Sequence, residues 1–122
     1  MNAVCLSSSL KYRELIRETI QKFGNIGITA FFPNLDGFDK DGLDMDAMKR
    51  LCQDHFRAID NSDALYVVNP DGYIGTLVKI EIGYALGKRK PVYFSEKTNS
   101  LELDVLSQDV ISLDSIERFL EI

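Results

Sequence analysis

The sequence predicts an α/β fold: a three-layer domain of the flavodoxin or Rossmann type, with a mainly parallel five-stranded sheet and helices on both faces. Short apolar runs alternate along the chain with segments in which apolar residues recur at helical spacing. The run ALYVVN, residues 64–69, is apolar almost throughout, which is typical of a strand in the middle of a parallel sheet. With 122 residues, 45% of them hydrophobic, the chain has the make-up of one domain with one core, spanning 1–122.

The elements follow in a regular order. The apolar runs predict strands at 3–7, 26–33, 64–69, 91–95 and, more weakly, 109–113. Between and after them, helical spacing predicts helices at 9–23, 44–60, 76–88 and 114–122, with Gly24 ending the first of these. We expect the strands AVCLS and ALYVVN to be central in the sheet.

Composition excludes several classes of partner. A net charge of −5 has the wrong sign for binding polymeric DNA or RNA, although a helix N-terminus can still bind one phosphate. The chain has no apolar run long enough to span a membrane and no signal-peptide pattern, so we expect a cytoplasmic protein without a membrane partner. With one histidine and no CxxC pair, we expect no metal site, and we interpret Cys5 and Cys52 as core residues.

In a parallel sheet, ligands bind at the carboxyl ends of the strands. After the first strand, Ser7, Ser8 and Ser9 fill the turn into the helix. Their hydroxyls, together with free helix N–H groups, could receive a phosphate or a sugar oxygen. The alternative is that one of these serines is an ordinary N-cap.

A second polar turn, NPDGYIGT, separates the third strand from its helix. Asn69 ends the strand and Thr76 is placed to cap the helix, and between them lie Asp71, Gly72, Tyr73 and Gly75. Such a turn can bring backbone close to a ligand. The alternative is a tight connection with no ligand.

The helix that follows carries an isolated carboxylate. The residues three and four positions from Glu81 are uncharged, so this side chain lies in an apolar stripe without a helical ion-pair partner. Burying an unpaired charge costs several kcal/mol. We therefore expect Glu81 to face a cavity at the carboxyl ends of the strands or to be compensated by a distant group.

Three segments together carry a resemblance to a known family. The order CLSSSLKYRELI, HFRAIDNSDALYVVNPDGYIG and KIEIGYALGKRKPVYF resembles the nucleoside 2-deoxyribosyltransferase superfamily, including its deoxynucleoside monophosphate N-glycosidase branch. The most specific features are Ser62-Asp63 before an apolar strand and E-x-G-x-A at 81–85. The resemblance covers nearly the whole chain. It implies that Glu81 is the nucleophile that cleaves or transfers the N-glycosidic bond of a nucleoside or nucleoside monophosphate, with no cofactor.

The chain departs from the family at two positions. Family members often carry an aspartate eight residues before Asp63, where this chain has His55. The proton donor to the leaving base is therefore His55, Asp63 or Asp71, unless catalysis has been lost and His55 is a satisfied core residue. Active relatives often have serine or aspartate where Gly75 stands here. Ligand hydroxyls or phosphate would then be bound by Thr76, Tyr73 or backbone N–H groups.

The loop after the second strand is acidic, with aspartates at 36, 39, 41, 44 and 46. Their spacing does not fit an EF-hand, so we expect a solvated lid rather than a metal site. Family members are commonly oligomers in which a neighbour closes the pocket, so the resemblance also implies a homodimer or larger homo-oligomer. The main alternative to an enzyme is a nucleotide-binding or sensor module of the same fold that does not turn over its ligand. A structural protein with Glu81 hydrogen-bonded in its core is a further alternative.

Overall fold

The computed structural model describes residues 1–37 and 44–122. The strands are Ala3–Ser7 (β1), Thr29–Phe31 (β2), Ala64–Val67 (β3), Val92–Phe94 (β4) and Asp109–Val110 (β5). The α-helices are Arg13–Asn25 (α1), Met45–Asp60 (α2), Thr76–Gly87 (α3) and the single turn Leu101–Asp104 (α4). Short 3₁₀ segments lie at Leu10–Tyr12, Pro70–Gly72 and Leu113–Glu121.

The strands form one parallel sheet in the order β2-β1-β3-β4-β5, which confirms the predicted fold class and the central positions of β1 and β3. Chain order reverses between β1 and β3: the chain first moves outward to β2 and then crosses back to β3. This is the topological switch point at which α/β folds form a crevice beyond the carboxyl ends of the strands. Ser7 ends β1 and pairs with Val67, the last residue of β3.

Each face of the sheet is covered by a separate pair of elements, because successive side chains of a strand point to opposite faces. Val4 and Leu6 of β1 pack with α1 and the C-terminal 3₁₀ segment. Cys5, on the opposite face, packs with α2 and α3. Ser7 continues the alternation that starts at Cys5, so its side chain points toward α2 and α3.

Among the boundaries that differ from those predicted, two concern the starts of the second strand and the third helix. The second strand begins at Thr29 rather than at residue 26, because the N–H groups of Ile26 and Ile28 donate to Phe23 at the end of α1 instead of to the sheet. Helix α3 is capped by Gly75, with no side-chain hydrogen bond, where the sequence predicted Thr76. Thr76 is instead the first residue of the helix.

Part of the acidic loop lies outside the described residues, including Asp39 and Asp41. Of the remaining aspartates, Asp36 pairs with Arg17. Asp44 caps α2 by accepting from the N–H of Ala47 at 2.8 Å. In the described residues, no helix combines the length and the apolar character needed to cross a membrane.

Candidate active site

Glu81 lies where the switch point of the sheet meets α3. Its side chain is on the inward face of the helix, and the residue is only 8% exposed. The hydroxyl of Ser7, at the end of β1, donates to its carboxylate at 3.2 Å from Oε1 and 3.3 Å from Oε2. The sequence separation between these two residues is 74 positions, so the contact depends on the tertiary fold.

The second group that faces Glu81 is His55 of α2. Its Nε2 lies 3.9 Å from Glu81 Oε2, and the residue is 5% exposed. The imidazole forms a hydrogen bond with the backbone carbonyl of Leu51, one turn earlier in the helix. Because Nε2 has no hydrogen-bond partner among the described residues, that bond uses Nδ1. The neutral ring therefore presents a free lone pair on Nε2 toward the carboxyl group.

Burial shifts the two pKa values in opposite directions, and each shift favours the neutral form of its group. It raises the pKa of Glu81 to about 8, and the hydrogen bond from Ser7 acts in the opposite direction. It lowers the pKa of His55 to about 4, opposed by the Leu51 carbonyl and by the negative charge of Asp54. At neutral pH the pair holds one proton, which resides on Glu81.

The pair lines a cavity of about 330 Å³ between α2 and α3. Most of the wall is apolar. The α2 side of the wall is formed by Met48, Leu51, Cys52 and Phe56. The remaining apolar residues are Leu77 and Ile80 of α3, with Leu10 and Phe32 from the loops after β1 and β2. The polar lining comes from Ser8, His55 and Glu81.

The three consecutive serines at the end of β1 and in the turn after it have different roles. Ser7 supports Glu81, while the hydroxyl of Ser8 donates to the carbonyl of Val68 at 2.7 Å. Ser9 caps the following 3₁₀ segment by accepting from the N–H of Lys11. The hydroxyl protons of Ser7 and Ser8 are thus already engaged, whereas Ser9 uses its oxygen as an acceptor. A phosphate at this turn would depend on backbone N–H groups and the Ser9 O–H, or would have to displace the bonds of Ser7 and Ser8.

The turn between β3 and α3 is held by the end of β4. The side chain of Asn69 is fully buried, donates to the carbonyl of Glu96 at 2.8 Å and accepts from the Ser95 hydroxyl at 2.9 Å. Asp71 has a left-handed backbone, with φ of 57°, and its N–H donates to the Glu96 carboxylate. Gly72 also has a positive φ. These residues therefore position the crossover into α3 and do not line the cavity.

Tyr73, Gly75 and Thr76 lie beyond the cavity lining as well. Tyr73 is 47% exposed, and the ammonium of Lys11 lies 3.5 Å from its ring centroid. This cation–π contact joins the turn after β1 to the turn after β3. Gly75 lies beside the Tyr73 hydroxyl, which a Cβ at this position would approach to 3.4 Å.

Asp63 lies at the opposite end of the sheet. It accepts hydrogen bonds from the N–H groups of Asn2 at 2.8 Å and Ala3 at 3.0 Å, at the amino ends of the strands. The N–H groups of Ala3 and then Asn2 hold its pKa below the usual range for an aspartate. Since the cavity opens at the carboxyl ends of the strands, we leave Asp63 out of the proposed catalytic groups.

The structure thus brings together Ser7, Ser8, His55 and Glu81 from the residues proposed from sequence. The apolar wall was not proposed as part of a site. The wall could have been predicted from α2, because Met48, Cys52 and Phe56 recur every fourth residue beside the apolar stripe of that helix that packs on the sheet. In the described part of the chain, no group of three histidine, cysteine or acidic side chains is placed to hold a metal ion.

Comparison with solved structures shows what the fold resembles. The 2-deoxyribosyltransferase of Bacillus psychrosaccharolyticus superposes with a TM-score of 0.70 and 17% identity, covering 94% of this chain and 90% of that chain. A conserved protein from Enterococcus faecalis V583 gives a TM-score of 0.64 and 18% identity, covering 98% of this chain and 99% of that chain. No family model matches the sequence, and no curated protein is significantly similar to it.

These similarities define the chain as a domain with the nucleoside 2-deoxyribosyltransferase-like fold. At this level of identity they establish the fold alone. The fold that the sequence resemblance implied is thereby confirmed.

Proposed function

We propose that the protein cleaves or transfers the N-glycosidic bond of a nucleoside or nucleoside monophosphate, with Glu81 as the nucleophile. The observation that carries this proposal is a buried carboxylate at the switch point of the sheet. It faces a cavity and contacts one hydroxyl and one imidazole, Ser7 and His55. The similarity in fold to a 2-deoxyribosyltransferase supports the choice of reaction.

The bond changes follow from the chemistry of a carboxylate beside an anomeric carbon. An oxygen of ionised Glu81 forms a bond to that carbon as the carbon–nitrogen bond to the base breaks, through an oxocarbenium-like state. The electron pair of the broken bond goes to the base, which takes up a proton. Water or a second base then attacks the same carbon and releases Glu81, so the acceptor decides between hydrolysis and transfer.

The proton needed by the leaving base can come from the pair itself. When the proton moves from Glu81 to His55 Nε2, the carboxylate becomes a nucleophile and the imidazolium becomes an acid in one step. The positive charge that develops on the sugar favours this arrangement, because it stabilises a carboxylate beside it. In the second half of the reaction, neutral His55 accepts the proton of the attacking water or base.

The test is base release from a panel of nucleosides, nucleoside monophosphates and NAD, followed by chromatography. Wild-type protein should release base from at least one member, and Glu81→Gln should lower kcat by several orders of magnitude with little loss of affinity. Glu18→Gln is the matched control, because Glu18 is an exposed glutamate on α1. Retained release by Glu81→Gln at the wild-type rate would contradict the proposed nucleophile.

A nucleotide-binding module without turnover is the second candidate. The neutral state of buried Glu81 favours it, because a protonated carboxyl is not a nucleophile. Under this alternative, wild-type and Glu81→Gln proteins bind the same nucleotide and neither releases base. Calorimetric binding measured beside the chromatographic assay separates the two candidates.

A further inference from the structure

Among the described residues, the cavity beside Glu81 offers few hydrogen-bonding groups to a ligand besides the Glu81 carboxyl itself. Glu81 accepts from Ser7, and the Ser8 hydroxyl donates its proton to Val68. Cys52 adds only a weakly polar thiol. Among the described residues of the wall, the polar atom that is buried without a partner is His55 Nε2, and it is an acceptor in the neutral ring.

The small number of polar groups restricts which ligands can fill the cavity between α2 and α3. Each ring nitrogen or exocyclic oxygen of a polar base would lose its bonds to water against Met48, Leu51 or Phe56 and gain none in return. Sugar hydroxyls face the same penalty on this wall. An aromatic ring with few polar atoms loses nothing there, because thioether and aromatic side chains pack well against its faces and edges.

One polar atom of the ligand can nevertheless find a partner on this wall, His55 Nε2. A leaving base that takes its proton from His55 Nε2 departs with a new N–H directed at that nitrogen, and Nε2 then accepts from it. The product complex therefore satisfies the buried lone pair that has no partner among the described residues.

The geometry points to a weakly polar heteroaromatic leaving group, which turns an apolar edge to α2 and presents a single ring N–H to His55 Nε2. This inference rests on the proposed function, and it names the substrate class: N-glycosides whose aglycone carries few exocyclic polar groups. The described apolar residues of the wall form no hydrogen bonds that could distinguish one polar base from another.

Free aglycones test this inference without depending on catalysis. Binding of benzimidazole, 1-methylbenzimidazole and hypoxanthine is measured by calorimetry on the whole protein. Benzimidazole should bind at least about tenfold more tightly than hypoxanthine, which carries additional polar groups. It should also bind at least about tenfold more tightly than 1-methylbenzimidazole, which lacks the N–H. Tighter binding of hypoxanthine, no effect of N-methylation, or no binding of benzimidazole at millimolar concentration would each overturn the inference.

A pair of variants tests whether the cavity wall causes this difference in affinity. Met48→Gln places an amide beside the ligand and should narrow the difference in affinity between benzimidazole and hypoxanthine. Met45→Gln should leave that difference unchanged: Met45 is on the same helix, but it is 72% exposed and does not line the cavity. An equal effect of both variants would contradict the assignment of the wall.

The binding result and the catalytic result are separable. Benzimidazole selectivity without release of base from any N-glycoside would support the cavity assignment and contradict the proposed function. Release of base with a preference for hypoxanthine over benzimidazole glycosides would support the proposed function and overturn the leaving-group assignment.

Discussion

Replacing Glu81 with glutamine should change how stability depends on pH. Glutamine is close in shape to protonated glutamate: its carbonyl oxygen can accept from Ser7, and its amide can donate to His55 Nε2. It does not ionise. The difference in the free energy of unfolding between Glu81→Gln and the wild-type protein therefore reports the ionisation of Glu81 alone.

The sign and size follow from the shift in pKa. Burial raises the pKa of Glu81 from 4.5 to about 8, so the stability that the neutral carboxyl contributes is complete below pH 4.5 and is lost as pH rises through 8. His55 has the opposite dependence, because its pKa is lowered to about 4, but it is present in both proteins and cancels. At about 1.4 kcal/mol per pH unit for one proton, the wild-type protein should lose about 2 to 3 kcal/mol relative to Glu81→Gln between pH 6 and pH 9.

The measurement is urea unfolding of both proteins at several pH values from 6 to 9, with Glu18→Gln as the control. Glu18→Gln should follow the wild-type protein across the range, because Glu18 is exposed. A difference between Glu81→Gln and wild type that stays constant within about 0.5 kcal/mol would contradict the raised pKa, since Glu81 would then titrate alike in the folded and unfolded states.

Three further predictions concern Ser7, Gly72 and assembly. Ser7→Ala removes a hydrogen bond that lowers the pKa of Glu81, so the loss of base release at alkaline pH, where the Glu81–His55 pair gives up its one proton, should move to higher pH; an unchanged pH–rate profile would contradict this role. Gly72→Ala should lower the free energy of unfolding by about 1 to 3 kcal/mol or more, measured in urea, because the new Cβ would lie 2.6 Å from the Lys97 carbonyl at a φ of +76°. Gly24→Ala, in open space on α1, should be neutral or slightly stabilising, and equal losses for both glycines would contradict the explanation. Met45, at the start of α2, and Ile80, in the cavity lining, are exposed and should be covered in a homo-oligomer, and sedimentation that shows only a 13.8 kDa species at micromolar concentration would count against it.

The fold could be predicted because its signals are local. The apolar runs of β1 and β3 and the helical spacing of α1 and α2 are each contained in one segment of sequence. The second strand was predicted too long because Ile26 and Ile28 are apolar, yet their N–H groups bond to the end of α1. Helix α4 was not predicted, because a single turn is too short to show helical spacing of apolar residues.

The site was predictable only in part, because it depends on contacts between distant segments. Glu81 could be found from its isolation in an apolar stripe, and Ser7 from its place at the end of a strand. The approach of His55 to Glu81 requires α2 and α3 to pack side by side, which no local pattern specifies. Asp63 was proposed as a catalytic residue because of its place in a motif, but its carboxylate accepts hydrogen bonds from the N–H groups of Asn2 and Ala3.

The central claim is that Glu81 forms a bond to the sugar, and the most direct test is to trap that bond. Wild-type protein is mixed with a substrate that it cleaves, and the reaction is quenched in acid within one turnover. The protein is then digested, and the mass of the peptide that contains Glu81 is measured by mass spectrometry. A nucleophilic Glu81 should give a mass increase equal to one glycosyl group on that peptide, located on Glu81 by fragmentation and absent from Glu81→Gln. A glycosyl group on another residue, or rapid base release with no adduct at any quench time, would contradict it.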